Sequence, residues 1–300
     1  LENGGNLRVL TGHRAEKIIL DQGGGLLVNG TTFAAVVDDG GELLVYPGGE
    51  AINCEINHGG VFMLAGRASN TSLTSGAMNN LGGEDQNTNV ENGAVYRLGT
   101  DGLQLYSSGK TKDLTVNAGG RVEIHAGTLE NAAIKGGTVI VMSPTSADDK
   151  FVVEEDCAPV ELMGSVTVQE GSSLIIGYGA DLQQSIVTVQ QGGVLILDGS
   201  TVKGDNVTFR VGELNLDDGT VWLITSAATR VQLKVKRLRG KGTICLQTSA
   251  KEISPEFIGV KGEVSGNIHV EITDASRQPI CAAHKLQPDA DGIGATLQPA

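Results

Sequence analysis

The chain has 300 residues, 43 of them glycine and only 3% aromatic, with a formal net charge of −13. Glycine at about twice its usual frequency, with so few large rings, argues for a core of thin aliphatic layers. The acidic balance argues against nucleic acid as a main partner, because phosphate binding needs a basic field. No stretch approaches the roughly 20 apolar residues of a membrane helix. Leu1 opens inside a repeat rather than at a signal peptide, so the chain is expected to be an internal segment with its targeting signals outside it.

From Gly4 to Gly60 a Gly-Gly step recurs with the same short strand after it. Gly4-Gly5 leads to Leu7 and Val9, Gly23-Gly24 to Leu26 and Val28, Gly40-Gly41 to Leu43 and Val45, and Gly59-Gly60 to Phe62 and Leu64. That is the period of 2 of a strand with one buried face. Before the later pairs stand Leu20, Val37 or Ile56 three residues back, and Ile18, Ala35 or Cys54 five back. Successive pairs are 19, 17 and 19 residues apart, too short for a βαβ unit and too long for a bare hairpin, but right for one coil of a β-solenoid. Stacking such coils about 4.8 Å apart pairs every backbone amide with a neighbouring coil and builds a continuous column of Val, Leu and Ile.

The register breaks after Ala65. Residues 68–92 are predicted to form a longer coil or a protruding loop anchored by Leu73 and Val90, because polar residues follow Gly82-Gly83 where the repeat wants apolar ones. The pattern returns between Val95 and Leu105, then at Leu114, Val116, Val122, Ile124, Val139 and Val141. A second interruption is predicted from Ser143 to Pro159. Looser coils follow at Leu174-Ile176, Val187-Val189, Leu195-Leu197 and Leu214-Leu216.

From Gly219 the character changes. A strand with Val231, Leu233 and Val235 on one face and basic residues on the other follows the only tryptophan, Trp222. Further strands are expected at 257–260 and 267–272. The last coil of a solenoid exposes its core and an open edge, so residues 219–286 are predicted to be a terminal β cap, and 287–300 a linker. The expected organisation is therefore an all-β chain: repeats of about 19 residues over 1–218, cap over 219–286, linker over 287–300.

These residues resemble a known family. LENGGNLRVLTGHRAEKIILDQGG, VVDDGGELLVYPGGEA and NHGGVFMLAGRA look like the passenger repeats of AIDA-type and antigen-43-type self-associating autotransporters of Gram-negative bacteria, over most of residues 1 to about 215. TRVQLKVKRLRGKGTICLQ and GEVSGNIHVEITDASRQPI resemble the autochaperone region that ends such passengers. The resemblance implies a right-handed parallel β-helix displayed at the cell surface, acting in adhesion, cell–cell aggregation and biofilm formation rather than catalysis. It also implies that the cap, with Trp222, Val231, Leu233 and Val235, promotes folding, and that an outer-membrane β-barrel of the same precursor lies outside this segment. The implied partner is another copy on a second cell, or a host surface protein or glycan. Passengers of this kind usually avoid cysteine, whereas Cys54, Cys157, Cys245 and Cys281 are present here.

For recognition, the polar set Asn70, Thr71, Asn79, Asn80, Asp85, Asn87, Thr88 and Asn89, with Gln86 among them, is the candidate, since exposed amides and hydroxyls on a rigid scaffold can pair with the same groups on another molecule. The bland reading is a solvated loop. Lys234, Lys236, Arg237, Arg239 and Lys241 form a basic strand face, suited to an anionic glycan or, more simply, to keeping a sheet edge unpaired. Parallel β-helices also include polysaccharide lyases and hydrolases, which need converging carboxylates in a groove; the acids here fall mostly at turns, and no His or Cys spacing suggests a metal. No cofactor is expected. Cys54 reads as a small buried hydrophobe, and it lies too many coils from Cys157 for a disulfide; Cys245 and Cys281 are close enough in sequence to pair.

Overall fold

The structure is a computed structural model that describes residues 1–2, 4–100, 107–141, 160–177, 179–200, 206–225, 230–248, 258–274, 276–279, 284–288 and 295–299. Every regular element described is a strand. The chain is a parallel β-helix in two compact units, with Leu1–Ile140 forming the body of the first and Glu161–Ala300 that of the second.

In the first unit each coil contributes three strands, and each set stacks in register with the next. Face A contains Asn6–Val9, Gly25–Val28, Glu42–Val45, Val61–Leu64, Ala77–Asn80, Val95–Leu98 and Arg121–Ile124. Face B contains Arg14–Glu16, Thr31–Phe33, Glu50–Ile52, Arg67–Ser69 and Glu84–Gln86, followed by the first parts of Gly109–Asn117 and Gly127–Lys135. Face C starts with Ile19–Leu20, Val36–Val37, Glu55–Ile56, Ser72–Thr74 and Asn89–Glu91. The alternation read from the sequence is what fills the interior. Leu26, Leu43, Phe62, Met78, Tyr96 and Val122 form one buried column of face A, and Leu20, Val37, Ile56, Leu73 and Val90 form one on face C.

The Gly-Gly corner leads into face A. Gly40 sits at φ +75°, and a Cβ on Gly41 would lie 2.5 Å from the Leu20 carbonyl oxygen of the coil beneath, so the second glycine is set by close stacking. The same dipeptide also serves another corner. Gly48-Gly49 and Gly82-Gly83 lead into the face B strands Glu50–Ile52 and Glu84–Gln86. Residues 68–92 are therefore not a protruding loop. They are regular coils in register, and the polar residues after Gly82-Gly83 belong to face B, where two of three positions point outward.

The turn from face B to face C consists of one residue in the left-handed region, repeated coil after coil: Lys17, Ala34, Asn53, Asn70, Asn87, Asp113 and Asn131, with φ between 52° and 60°. Asparagine tolerates this conformation better than other non-glycine residues. Stacked in register, these side chains pair: Asn70 Nδ2 donates to Asn53 Oδ1 at 3.0 Å and Asn87 Nδ2 to Asn70 Oδ1 at 3.2 Å. At the next rungs, Asn131 Nδ2 donates to Asp113 Oδ1 at 2.9 Å. Replacing Asn70 by alanine removes two rungs and forces Cβ strain, for an expected loss of about 1–2 kcal/mol. Asn70→Gly loses the rungs without the strain, so its urea midpoint should fall less; a glycine variant as damaged as the alanine variant would disprove the conformational half of this account.

In the second unit the coils enlarge and the strands lengthen. Glu161–Val168, Asp181–Gln190, Asn206–Ile224 and Arg230–Gln247 stack in parallel, with Ser173–Gly177 and Val194–Asp198 beside them. Ile258–Val260 and Val264–Thr273 continue the stack. The boundary expected between 218 and 219 falls inside the single strand Asn206–Ile224. Residues 287–300, expected as a linker, instead contribute to an antiparallel hairpin: His284–Pro288 pairs with Val264–Thr273 and with Ala295–Pro299, placing Leu286 opposite Leu297. The repeated Lys-Leu-Gln-Pro and Thr-Leu-Gln-Pro strings supply the two paired strands.

Among the cap residues, Val231, Leu233 and Val235 are buried, but Trp222 is not part of that apolar column. It alternates with buried Val221 and Leu223, so it stands on the outer side, where the Arg277 guanidinium lies 4.9 Å from its ring centre. Cys54 is a buried free thiol pushed up to about 11 by burial, and Cys245 a buried free thiol pushed up to about 12, first by burial and then by nearby Glu271. Cys157, Cys281 and the interruption expected at 143–159 lie outside the described residues.

Candidate interaction face

The polar residues singled out between 70 and 89 divide by the inside–outside alternation. Asn70, Asn87 and Asn89 are exposed, whereas Thr71, Asn79, Asn80, Asp85 and Thr88 are buried. Thr71, Asn80, Asp85 and Thr88 stand at inward positions that apolar residues fill in other coils, whereas Asn79 is on the outer side of face A, in line with Met63 and Arg97 and covered by them. Asn80 stands in the face A column of Val28, Val45 and Leu64, and Asp85 in the face B column of Ala51 and Ala68. Asn70 and Asn87 are exposed but engage each other in the corner ladder.

Asn80 and Asp85 belong to a polar cluster inside the solenoid. Asn80 Oδ1 accepts from the Gly83 amide at 2.8 Å, and its Nδ2 donates to the Tyr96 hydroxyl at 3.2 Å. Tyr96, fully buried, also shares a short hydrogen bond with Thr111. Thr88 Oγ1 donates to Asp85 Oδ1 at 2.8 Å, while Asp85 Oδ2 has no hydrogen-bond partner. Burial pushes the Asp85 carboxyl up to about 7 despite the lowering effect of the nearby hydroxyls, and burial with the Asp85 charge holds Tyr96 well above its ordinary value.

Beside Asp85, on the outside of face B, four successive coils each contribute one charged residue to a column absent from the candidates read in the sequence. Glu50, Arg67, Glu84 and Lys110 are stacked in register on adjacent strands. With strands about 4.8 Å apart, the column alternates negative, positive, negative, positive at that rise. None of the four makes an ion pair of 4.0 Å or less among the described residues. On face A, by contrast, Arg97 and Arg121 both close on Glu123, at 3.0 and 2.7 Å, and Asn79 accepts from Arg97, so these three charges are satisfied internally. The signal was present in the sequence, since each column residue lies three positions before a left-handed corner: Asn53, Asn70, Asn87 and Asp113.

The column borders an open groove of about 460 Å³ that also includes Gln86, Lys112, Thr128 and Glu130. The groove is what a polysaccharide-cleaving β-helix would need. Its chemistry still differs from that of a glycosidase. Glu50 and Glu84 are two strands apart with Arg67 between them, and Lys112 is tied to Glu130 at 3.0 Å. A hydrolytic pair needs a carboxyl kept protonated beside an ionised one; here each outward acid has a cation on a neighbouring strand. Among the described residues, no group of three or more His, Cys, Asp or Glu is placed to hold a metal.

The family model for the adhesin of bacterial autotransporter systems, probable stalk, matches residues 1–41, and the pertactin model matches residues 211–296. Protein YdhQ of Escherichia coli strain K12 is 79% identical over 300 residues, spanning 100% of this chain and 72% of that protein. The autotransporter adhesin/invasin TibA of Escherichia coli O78:H11 is 29% identical over 143 residues, 45% of this chain and 14% of that protein. The crystal structure of a TibC-catalysed hyper-glycosylated TibA fragment aligns with a TM-score of 0.54 at 18% identity, covering 89% of this chain and 86% of that chain, which shows a common fold.

Proposed function

The chain belongs to the YdhQ family, whose member here carries the stalk repeats and pertactin-like end of autotransporter passengers, and on that premise we propose that it is a surface-displayed adhesin segment that self-associates through face B. The observation that supports this reading is the alternating column Glu50, Arg67, Glu84, Lys110. Read in reverse, its signs become the complement of themselves. A second copy laid antiparallel across face B therefore places its Lys110 against Glu50 and its Glu84 against Arg67, and the twofold axis repeats both pairs.

Exposed ion pairs contribute about 0.2–1 kcal/mol each, so one such contact is weak. Many copies between two cell surfaces convert weak contacts into adhesion, aggregation and biofilm growth. The terminal strands of the second unit act in this scheme as the cap that covers the open end of the helix and helps the passenger fold, with the precursor's outer-membrane barrel beyond them.

Sedimentation velocity tests the pairing. The wild-type chain should dimerise with rising concentration and dissociate as salt rises. Arg67→Glu with Lys110→Glu should give a monomer, as should Glu50→Lys with Glu84→Lys. An equimolar mixture of the two double variants should restore association, because one column is then wholly negative and the other wholly positive. A wild-type monomer at every concentration, or no rescue on mixing, would sink the proposal.

A further inference from the structure

The basic strand Arg230–Gln247 divides into two halves that are treated differently by their neighbours. Downstream, each cation has a carboxylate on an adjacent strand. Glu213 lies in register with Arg237 and pairs with it at 2.5 Å, Glu263 pairs with Arg239 at 2.5 Å, and Asp218 with Lys241 at 2.7 Å. Upstream, the register does the opposite. Lys234 stands directly opposite Arg210, and Gly259 is the residue opposite it on the other side. Lys261 follows the Val235–Val260 pair, its amide bonded to the Val235 carbonyl at 2.9 Å.

Arg210, Lys234, Lys236 and Lys261 therefore line one open cavity of about 190 Å³, together with Gln183, Val211 and Val235. Lys236 Nζ donates to the Gln183 carbonyl at 3.1 Å; no carboxylate pairs with any of the four among the described residues. Like charges directly opposite on neighbouring strands are destabilising. In a chain with a net charge of −13, leaving them unneutralised is not for want of acids. Gly259 leaves the Lys234 stem uncovered, since a Cβ there would meet only Lys234 Cγ at 3.8 Å.

We infer that this cavity is a binding site for a polyanionic glycan, taking a sulfate or phosphate monoester between Arg210, Lys234, Lys236 and Lys261. Tetrahedral oxyanions suit this set, because the guanidinium gives a two-pronged contact and the ammonium groups give point charges around it. The cavity size admits a sugar ring bearing the ester. The site lies in the second unit and stands independently of self-association through face B.

Isothermal titration of the whole chain with sulfated, phosphorylated and uncharged dextran oligosaccharides of equal length tests the inference. Both charged oligosaccharides should bind, more weakly as salt rises, and the uncharged one should not; the tighter of the two identifies the ester. Arg210→Gln with Lys261→Gln, both at exposed positions, should weaken binding at least tenfold. Lys241→Gln, which removes a cation already paired with Asp218, should change it less than twofold. Binding of neither charged oligosaccharide, equal binding of the uncharged one, or an equal loss in Lys241→Gln would overturn the assignment.

Discussion

Replacing Gly266 by alanine is expected to destabilise the second unit by at least about 3 kcal/mol, or to stop its terminal strands from assembling. Leu216, Gly240 and Gly266 stand opposite one another on three successive strands. Gly240 has φ +97° and Gly266 φ +106°, a region closed to other residues without strain. A Cβ on Gly266 would sit 1.9 Å from the Gly240 carbonyl oxygen, and one on Gly240 would sit 2.0 Å from that of Leu216. These are backbone atoms held in a continuous ladder, so no rotamer change relieves the clash. Gly4→Ala is the control: Gly4 also has positive φ, at +77°, but nothing lies within 4 Å of its missing Cβ. Urea unfolding should show a loss of about 1 kcal/mol for Gly4→Ala, from strain alone, and the larger loss for Gly266→Ala. Equal losses would mean that close stacking of the terminal strands is not what the glycine serves.

The repeat was legible because its signal is local. A glycine pair, then two apolar residues at a spacing of two, specifies a corner and a half-buried strand without reference to anything distant. The misreadings arose where one local signal serves two places. Gly82-Gly83 resembles the corner before face A but occupies the corner before face B, and that single substitution of corners turned regular coils into an expected loop. Burial of Asp85 was hidden for a related reason. A carboxylate in a run of amides looks solvated, and only its register with Ala51 and Ala68 reveals that it points inward. Pairing among the basic residues was likewise invisible, because Arg237 and Lys234 are alike in sequence and differ only in facing Glu213 or Arg210 across the sheet. The asparagine corners could have been found: Asn53, Asn70 and Asn87 recur at intervals of 17, and asparagine is the residue that left-handed turns favour after glycine.

Asp85→Asn should stabilise the first unit at pH 8 and leave it nearly unchanged at pH 4. The carboxyl is buried, takes one hydrogen bond from Thr88 and is pushed up to about 7, above its ordinary 3.8. The folded state therefore holds a proton that the unfolded chain releases earlier. Stability is full below pH 4 and is lost as pH rises through about 7, the reverse of a paired surface carboxylate. The gap of about three pKa units corresponds to about 4 kcal/mol by pH 8. Asparagine keeps the acceptor for Thr88 and carries no charge, so it escapes this cost. Buried Tyr96 stays protonated over the same range and does not obscure the comparison. Chemical denaturation of both chains between pH 4 and pH 8 should give stabilities that diverge steadily in favour of the variant. Parallel curves would show that Asp85 is already ionised in the folded state, and that the surrounding hydroxyls outweigh its burial.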